Sequence, residues 1–275
     1  MNHRDEINGR VLDPSQPENG WQVPMVAGIA GYENDGNSSI YSAALLRNLR
    51  PTNPNPRGIR AYSLEELLGP ARDLLLIANT GVVIADSPTP LAQYPGAVET
   101  GDGAVLIPTG GGMPMLASET TMIVEPRLQF APLAREMSID RESGVAAFIP
   151  ILSGEGPSGH SALSGSVLTA SVSNHSMESQ YVRMDYELSS TAYLQLSYSY
   201  YPYLRVRIDG EEVETFPTAF GLIGLQSPAG GHNLEIVPYL SPLRRVVLAI
   251  NLAALLLLAL LWLLSFRRLP ARHSA

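Results

Sequence analysis

The sequence predicts a mainly β protein with some α: a small α+β unit, then a β-sandwich, then one C-terminal transmembrane helix. Three observations carry that expectation. Twenty-four Gly and twenty-two Pro are spread along 275 residues, the punctuation of many short elements joined by turns. The second half holds short runs in which apolar and polar residues alternate, the period of a strand with one face buried. Finally, Val246 to Leu264 is a run of nineteen residues in which Asn251 is the only frankly polar side chain.

The first unit is assigned to residues 1–128. From Arg10 to Asp35 the chain is rich in Gly, Pro and Asn, and GIAGYENDGNSS reads as a loop. Ser38 or Ser39 then caps a short helix through Asn48, with Ile40, Ala44 and Leu45 at helical spacing. PTNPNPRG from Pro51 is a stiff, extended connector. Ser63, Glu65 and Glu66 open a second helical piece that continues to Gly81, with Pro70 as a break or a first-turn residue. Val82 begins a short buried strand, VVIAD. AVLIP from Ala104 and TMIVEP from Thr121 are further strands, and the unit ends near Arg127.

The sandwich is assigned to residues 129–242, from the segments VAAFIPIL, GSVLTASVS, QYVRMDYELS, TAYLQLSYSYY, YLRVRIDG, EEVETF, FGLIGLQSP and HNLEIVPY. In TAYLQLSYSYY one face carries Ala192, Leu194, Leu196, Tyr198 and Tyr200, and the other Tyr193, Gln195, Ser197 and Ser199. In YLRVRIDG the inward set is Leu204, Val206 and Ile208, with Arg205 and Arg207 outward. Asp209-Gly210 is a hairpin turn, because both residues tolerate positive φ.

Residues 243–275 form the transmembrane helix and a short basic tail. At 1.5 Å per residue the apolar run reaches about 28 Å, enough for a bilayer core. Val246 and Leu255 lie within the anchor, Trp262 is placed for the headgroup level, and Arg267 and Arg268 follow it. The lipid bilayer is therefore an expected partner. The polar amino terminus, MNHRDEINGRVLDPSQPENGW, lacks the apolar core of a secretory signal. It leaves two topologies open, a tail-anchored cytoplasmic domain or the end of a longer membrane protein.

Composition narrows the partners further. The net charge is −8 and every basic residue is Arg, so an acidic chain without a basic stripe argues against nucleic acid. Cysteine is absent, which excludes disulfides, thiol catalysis and thiolate-bound zinc. The five histidines are scattered without HExxH or an i, i+4 pair, so no metal and no cofactor is expected. Gly159-His160-Ser161-Ala162-Leu163 falls short of a nucleophile elbow by its final Leu, and Gly110-Gly111-Gly112 lacks the Lys-Ser/Thr of a phosphate loop. Asp185 with Glu187, and Glu211, Glu212 and Glu214, read as solvated strand faces. No catalytic set emerges. The ligand candidates are Tyr193 and Tyr203, whose rings suit stacking on sugars, together with Asp209 and His232 beside the predicted turns.

Tyr200-Tyr201-Pro202-Tyr203, Arg205 through Gly210 and Ser227-Pro228-Ala229-Gly230-Gly231-His232-Asn233-Leu234-Glu235-Ile236, followed by a spanning helix, resemble the C-terminal extracytoplasmic region of the bacterial YfhO family. GRVLD, GIAGY and NTGVVIAD resemble the same region more loosely. Those multispanning proteins are similar to GT-C-type glycosyltransferases. Tyr203-Leu204 stands where the family often has Gly-Trp, and the many preceding helices, whose loops hold the acidic residues of sugar transfer, are missing. The resemblance implies a non-catalytic accessory or recognition domain in cell-envelope glycan assembly. Its partners would be a multispanning GT-C-like membrane protein and an envelope glycan or lipid-linked sugar. It would be single-pass in the bacterial cytoplasmic membrane, its soluble part extracytoplasmic and its C-terminus in the cytoplasm. The alternative is the truncated C-terminal part of a YfhO-like transferase, active only with the missing multispanning half.

Overall fold

The computed structural model describes residues 10–12, 65, 68–69, 72–85, 94–99, 105–109, 112–125, 130–154, 156–157, 159–160, 167–178, 181–200, 204–239 and 242–267. Mainly β architecture is present, in several sheets with few helices. The expected helix from Ser38 or Ser39, the Pro51 connector, Tyr203, Ser161 and Arg268 lie outside the described residues.

The first sheet has the order β1-β2-β4-β3, from β1 (Arg10–Leu12), β2 (Thr80–Ala85), β3 (Val98–Glu99) and β4 (Val105–Pro108). Helix α1 (Arg72–Ile77) leads into it and buries Leu74, Leu75, Leu76 and Ile77. The helix stops four residues before the expected Gly81. Asn79 takes φ 53°, a left-handed conformation that ends helices and that Asn tolerates better than most residues. Gly112 passes so close to Asn79 that a Cβ there would overlap its backbone. The last glycine of the Gly110–Gly112 run is thus a packing requirement.

Among the described residues twelve further strands follow: β5 (Met115–Ser118), β6 (Thr120–Val124), β7 (Ile149–Leu152), β8 (Gly159–His160), β9 (Ala170–Glu178), β10 (Tyr181–Leu188), β11 (Ala192–Ser199), β12 (Leu204–Ile208), β13 (Glu211–Val213), β14 (Thr215–Pro217), β15 (Leu222–Ser227) and β16 (Gly230–Pro238). They form a five-stranded sheet β13-β12-β16-β10-β9, a four-stranded sheet β14-β15-β11-β5 and a three-stranded sheet β7-β6-β8. The segment EEVETF, expected as one strand, is split at Glu214 between two sheets. That switch is how the chain turns the corner of the sandwich.

Two core clusters define the layers. Val182, Met184, Tyr186, Leu188, Leu234 and Ile236 of the five-stranded sheet face Met115, Leu194, Leu196, Ile223 and Leu225 of the four-stranded one. On the opposite side of the four-stranded sheet, Leu116, Tyr193, Phe216 and Leu222 join a second cluster with α1 and with α2 (Phe130–Glu136). The four-stranded sheet is therefore the middle layer. The half-buried strand expected at 192–199 is buried on both faces, which corrects the expectation of a polar, open face for Tyr193. At roughly 1.5–3 kcal/mol for each fully buried aliphatic or aromatic side chain, these two clusters are the main source of cohesion.

Helix α2 is not announced by the sequence pattern, because Pro132 reads as a breaker. It occupies the first turn, where its missing N–H has no acceptor in any case.

The chain from Pro238 onward is a second unit that contains α3 (Pro242–Arg267). Leu243–Trp262 is long and apolar enough to cross a membrane, and none of its apolar window is buried. Val246, Leu255 and Trp262 are 55%, 64% and 62% exposed, an apolar cylinder whose natural solvent is lipid. Near its start the Arg245 guanidinium lies 5.1 Å from the centre of the Tyr239 ring, a cation–π contact.

Candidate functional site

The corner of the five-stranded sheet is built on the hairpin between β12 and β13. Asp209 and Gly210 have φ 52° and 86°, the paired positive values that a two-residue hairpin turn needs. The turn aims the Asp209 carboxylate at β16. One oxygen accepts the Asn233 backbone N–H at 2.9 Å and the other meets His232 Nδ1 at 2.7 Å. His232 Nε2 lies 3.2 Å from the Ala229 carbonyl oxygen. Both partners are acceptors, and which ring nitrogen donates depends on the tautomer. The imidazole also packs on Tyr186, centroids 5.6 Å apart. The Tyr186 hydroxyl is 2.7 Å from Ser227 Oγ, and burial pushes its pKa up to about 12.

From this corner a polar ladder runs across the outer face of the same sheet. Asp185 accepts from the Asn174 and Asn233 side-chain amides, each at 2.7 Å. Glu235 accepts from the Tyr181 hydroxyl at 2.7 Å and from Arg183 at 2.6 Å. Arg205 pairs with Glu212 on the β12–β13 hairpin itself. Asn174 reaches Asp185 because it sits at φ 49°, where the β9–β10 register shifts, a bulge that re-aims a side chain.

The electrostatics follow from these bonds. The Asn174 amide, then that of Asn233, holds Asp185 below the usual carboxylate range. Asp209 is lowered by the Asn233 backbone N–H and then by His232. Glu235 is lowered by Tyr181 and Arg183, and the Tyr181 phenol is raised in return. The result is a face of fixed charges and oriented amides.

Of the sequence candidates, the structure brings Asp209 and His232 into contact and leaves Tyr193 elsewhere. Tyr193 is 6% exposed, inside the core cluster under the helices, so its ring fills the core. Both His232 nitrogens lie within hydrogen-bond distance of the protein's own acceptors, Asp209 and the Ala229 carbonyl. Among the described residues there is no group of three or more side chains able to hold a metal ion. Asn174, Asn233, Tyr181 and Glu235 were not among the ligand candidates read from the sequence. Period-two alternation places their face but not their partners. Family models, curated proteins and solved structures yield no match to this chain.

Proposed function

We propose that this chain is a membrane-anchored accessory domain of bacterial envelope glycan assembly. In this reading it presents an envelope glycan or lipid-linked sugar to a multispanning GT-C-like glycosyltransferase, from the outer face of the cytoplasmic membrane. The observation that carries the reading is the open polar ladder centred on Asp185, Asn233 and Asp209, in a chain that also has an apolar helix of membrane length. Rows of carboxylates and amides suit the hydroxyls of a sugar, which donate and accept together. The glycan context itself rests on the resemblance of residues 200–266 to the YfhO family.

Topology is the first test, and the absence of cysteine makes it clean. Glu211 is exposed beside the Asp209-Gly210 turn, so Glu211→Cys offers one thiol to a membrane-impermeant maleimide, with the native chain as blank. Labelling of intact cells, together with copurification of a multispanning transferase or binding to envelope glycans, is the expected result. Labelling only after lysis places the sandwich in the cytoplasm and sinks the proposal.

A further inference from the structure

Asn251 is the one polar residue of the span Leu243–Trp262 apart from the two arginines at its start. It is exposed on α3, and its side-chain amide makes no hydrogen bond among the described residues. In a bilayer such an amide faces hydrocarbon, where an unpaired polar group is costly. It can be satisfied there only by another helix or by local distortion.

The surroundings of Asn251 suit a second helix. Leu248, Asn251, Leu255, Leu258 and Trp262 follow one another at alternating steps of three and four, the seam of a left-handed helix pair. On a helix of 3.6 residues per turn these positions lie within about 60° of Asn251. Ala254 borders the same stripe and lowers its profile for close approach. Leucines alone would mark no direction on so uniform a helix. Asn251 selects the face.

We infer that α3 associates with α3 of a second copy of this chain through an Asn251–Asn251 amide pair. A carboxamide offers donors and an acceptor at once, so it is complementary to itself across a two-fold axis. Single Asn residues at seam positions fix register and partner number in soluble helix pairs by the same means. The inference concerns α3 alone and does not depend on the glycan reading.

The cysteine-free chain allows a direct test in full-length protein reconstituted in phosphatidylcholine vesicles. Leu248→Cys, Leu255→Cys and Leu258→Cys should form disulfide dimers on mild oxidation, while Ala249→Cys, Leu256→Cys and Leu260→Cys, on the opposite side, should not. In energy-transfer measurements between labelled copies, Asn251→Leu should weaken association roughly tenfold, and Asn251→Gln should retain most of it. Asn251→Leu makes the span more apolar, so failed insertion does not confuse the comparison. Cross-linking without a preferred face, monomers at all densities, or an unchanged Asn251→Leu variant would overturn the inference. So would cross-linking in native membranes that captures a different protein in place of a second copy.

Discussion

Replacing Tyr186 with Phe should destabilise the protein at neutral pH and stabilise it in strong alkali. Tyr186 is 2% exposed and hydrogen-bonded to Ser227. Ser227 Oγ also donates to the Pro228 carbonyl at 3.2 Å, so Tyr186→Phe leaves no orphan and costs about 1 kcal/mol. The alkaline effect follows from linkage. Burial raises the phenol from 10.0 to about 12, so the native state favours its neutral form. Below the unfolded value both states are protonated and nothing is lost. Between the two values the unfolded chain ionises while the native one resists, and stability falls as pH rises. Two pH intervals at about 1.36 kcal/mol each give a ceiling near 2.7 kcal/mol, which residual solvent screening lowers to about 2 kcal/mol. Phe escapes that loss, so the stabilities of the two proteins should cross near about pH 10.7. Urea unfolding in neutral detergent, followed by far-ultraviolet circular dichroism at a series of pH values, reads the crossing. Parallel curves would refute the buried, proton-holding phenol.

Two further predictions concern the middle layer and the polar ladder. Gly224 lies on β15 with no room above it, since a Cβ there would run into the Phe216 ring. Gly224→Ala should therefore cost about 1–3 kcal/mol, and a loss below about 0.5 kcal/mol in chemical denaturation would show that the ring is free to move aside. In acid, Asp185 and Asp209 are held below 3.8 and Glu235 below 4.5. Their contribution is complete above those unfolded values and is lost as pH falls through the lower native ones. Asp185→Asn should accordingly flatten the acid limb of the unfolding midpoint against pH, and an unchanged slope would remove Asp185 from the account.

What was legible in the sequence was local. The Asp209-Gly210 turn, the alternation of β10 and β12 and the unbroken apolar run of α3 are each decided within a few residues, and each is present. The misreadings came from partners distant in the chain. Tyr193, Gln195 and Ser197 look like an open face because they alternate with aliphatics. Yet β5 pairs β11 on one side and β15 on the other, and the helical layer covers them. The polar members fare differently there: Ser197 Oγ donates to the Met113 carbonyl, while the buried Gln195 amide has no hydrogen-bond partner among the described residues. The ladder was hidden for the same reason. Asp185 meets Asn233 forty-eight positions later, and no periodicity within β10 reveals which residue will stand opposite.

The middle sheet also sets the order in which the protein can be made. Strand β11 pairs residue 193 with residue 118 and residue 192 with residue 227. Its two neighbours are thus emitted from the ribosome well before and well after it. β5 waits for about eighty residues of chain before β11 exists, and closing so long a loop is slow. β10 needs no such delay to pair with β9, its immediate predecessor. The hairpin of β9 and β10 is the natural early structure; β15 closes the middle sheet, and β16, which follows it, closes the five-stranded sheet by joining β12 to β10. Substitutions at β5 should then slow folding little and speed unfolding, whatever their final effect on stability.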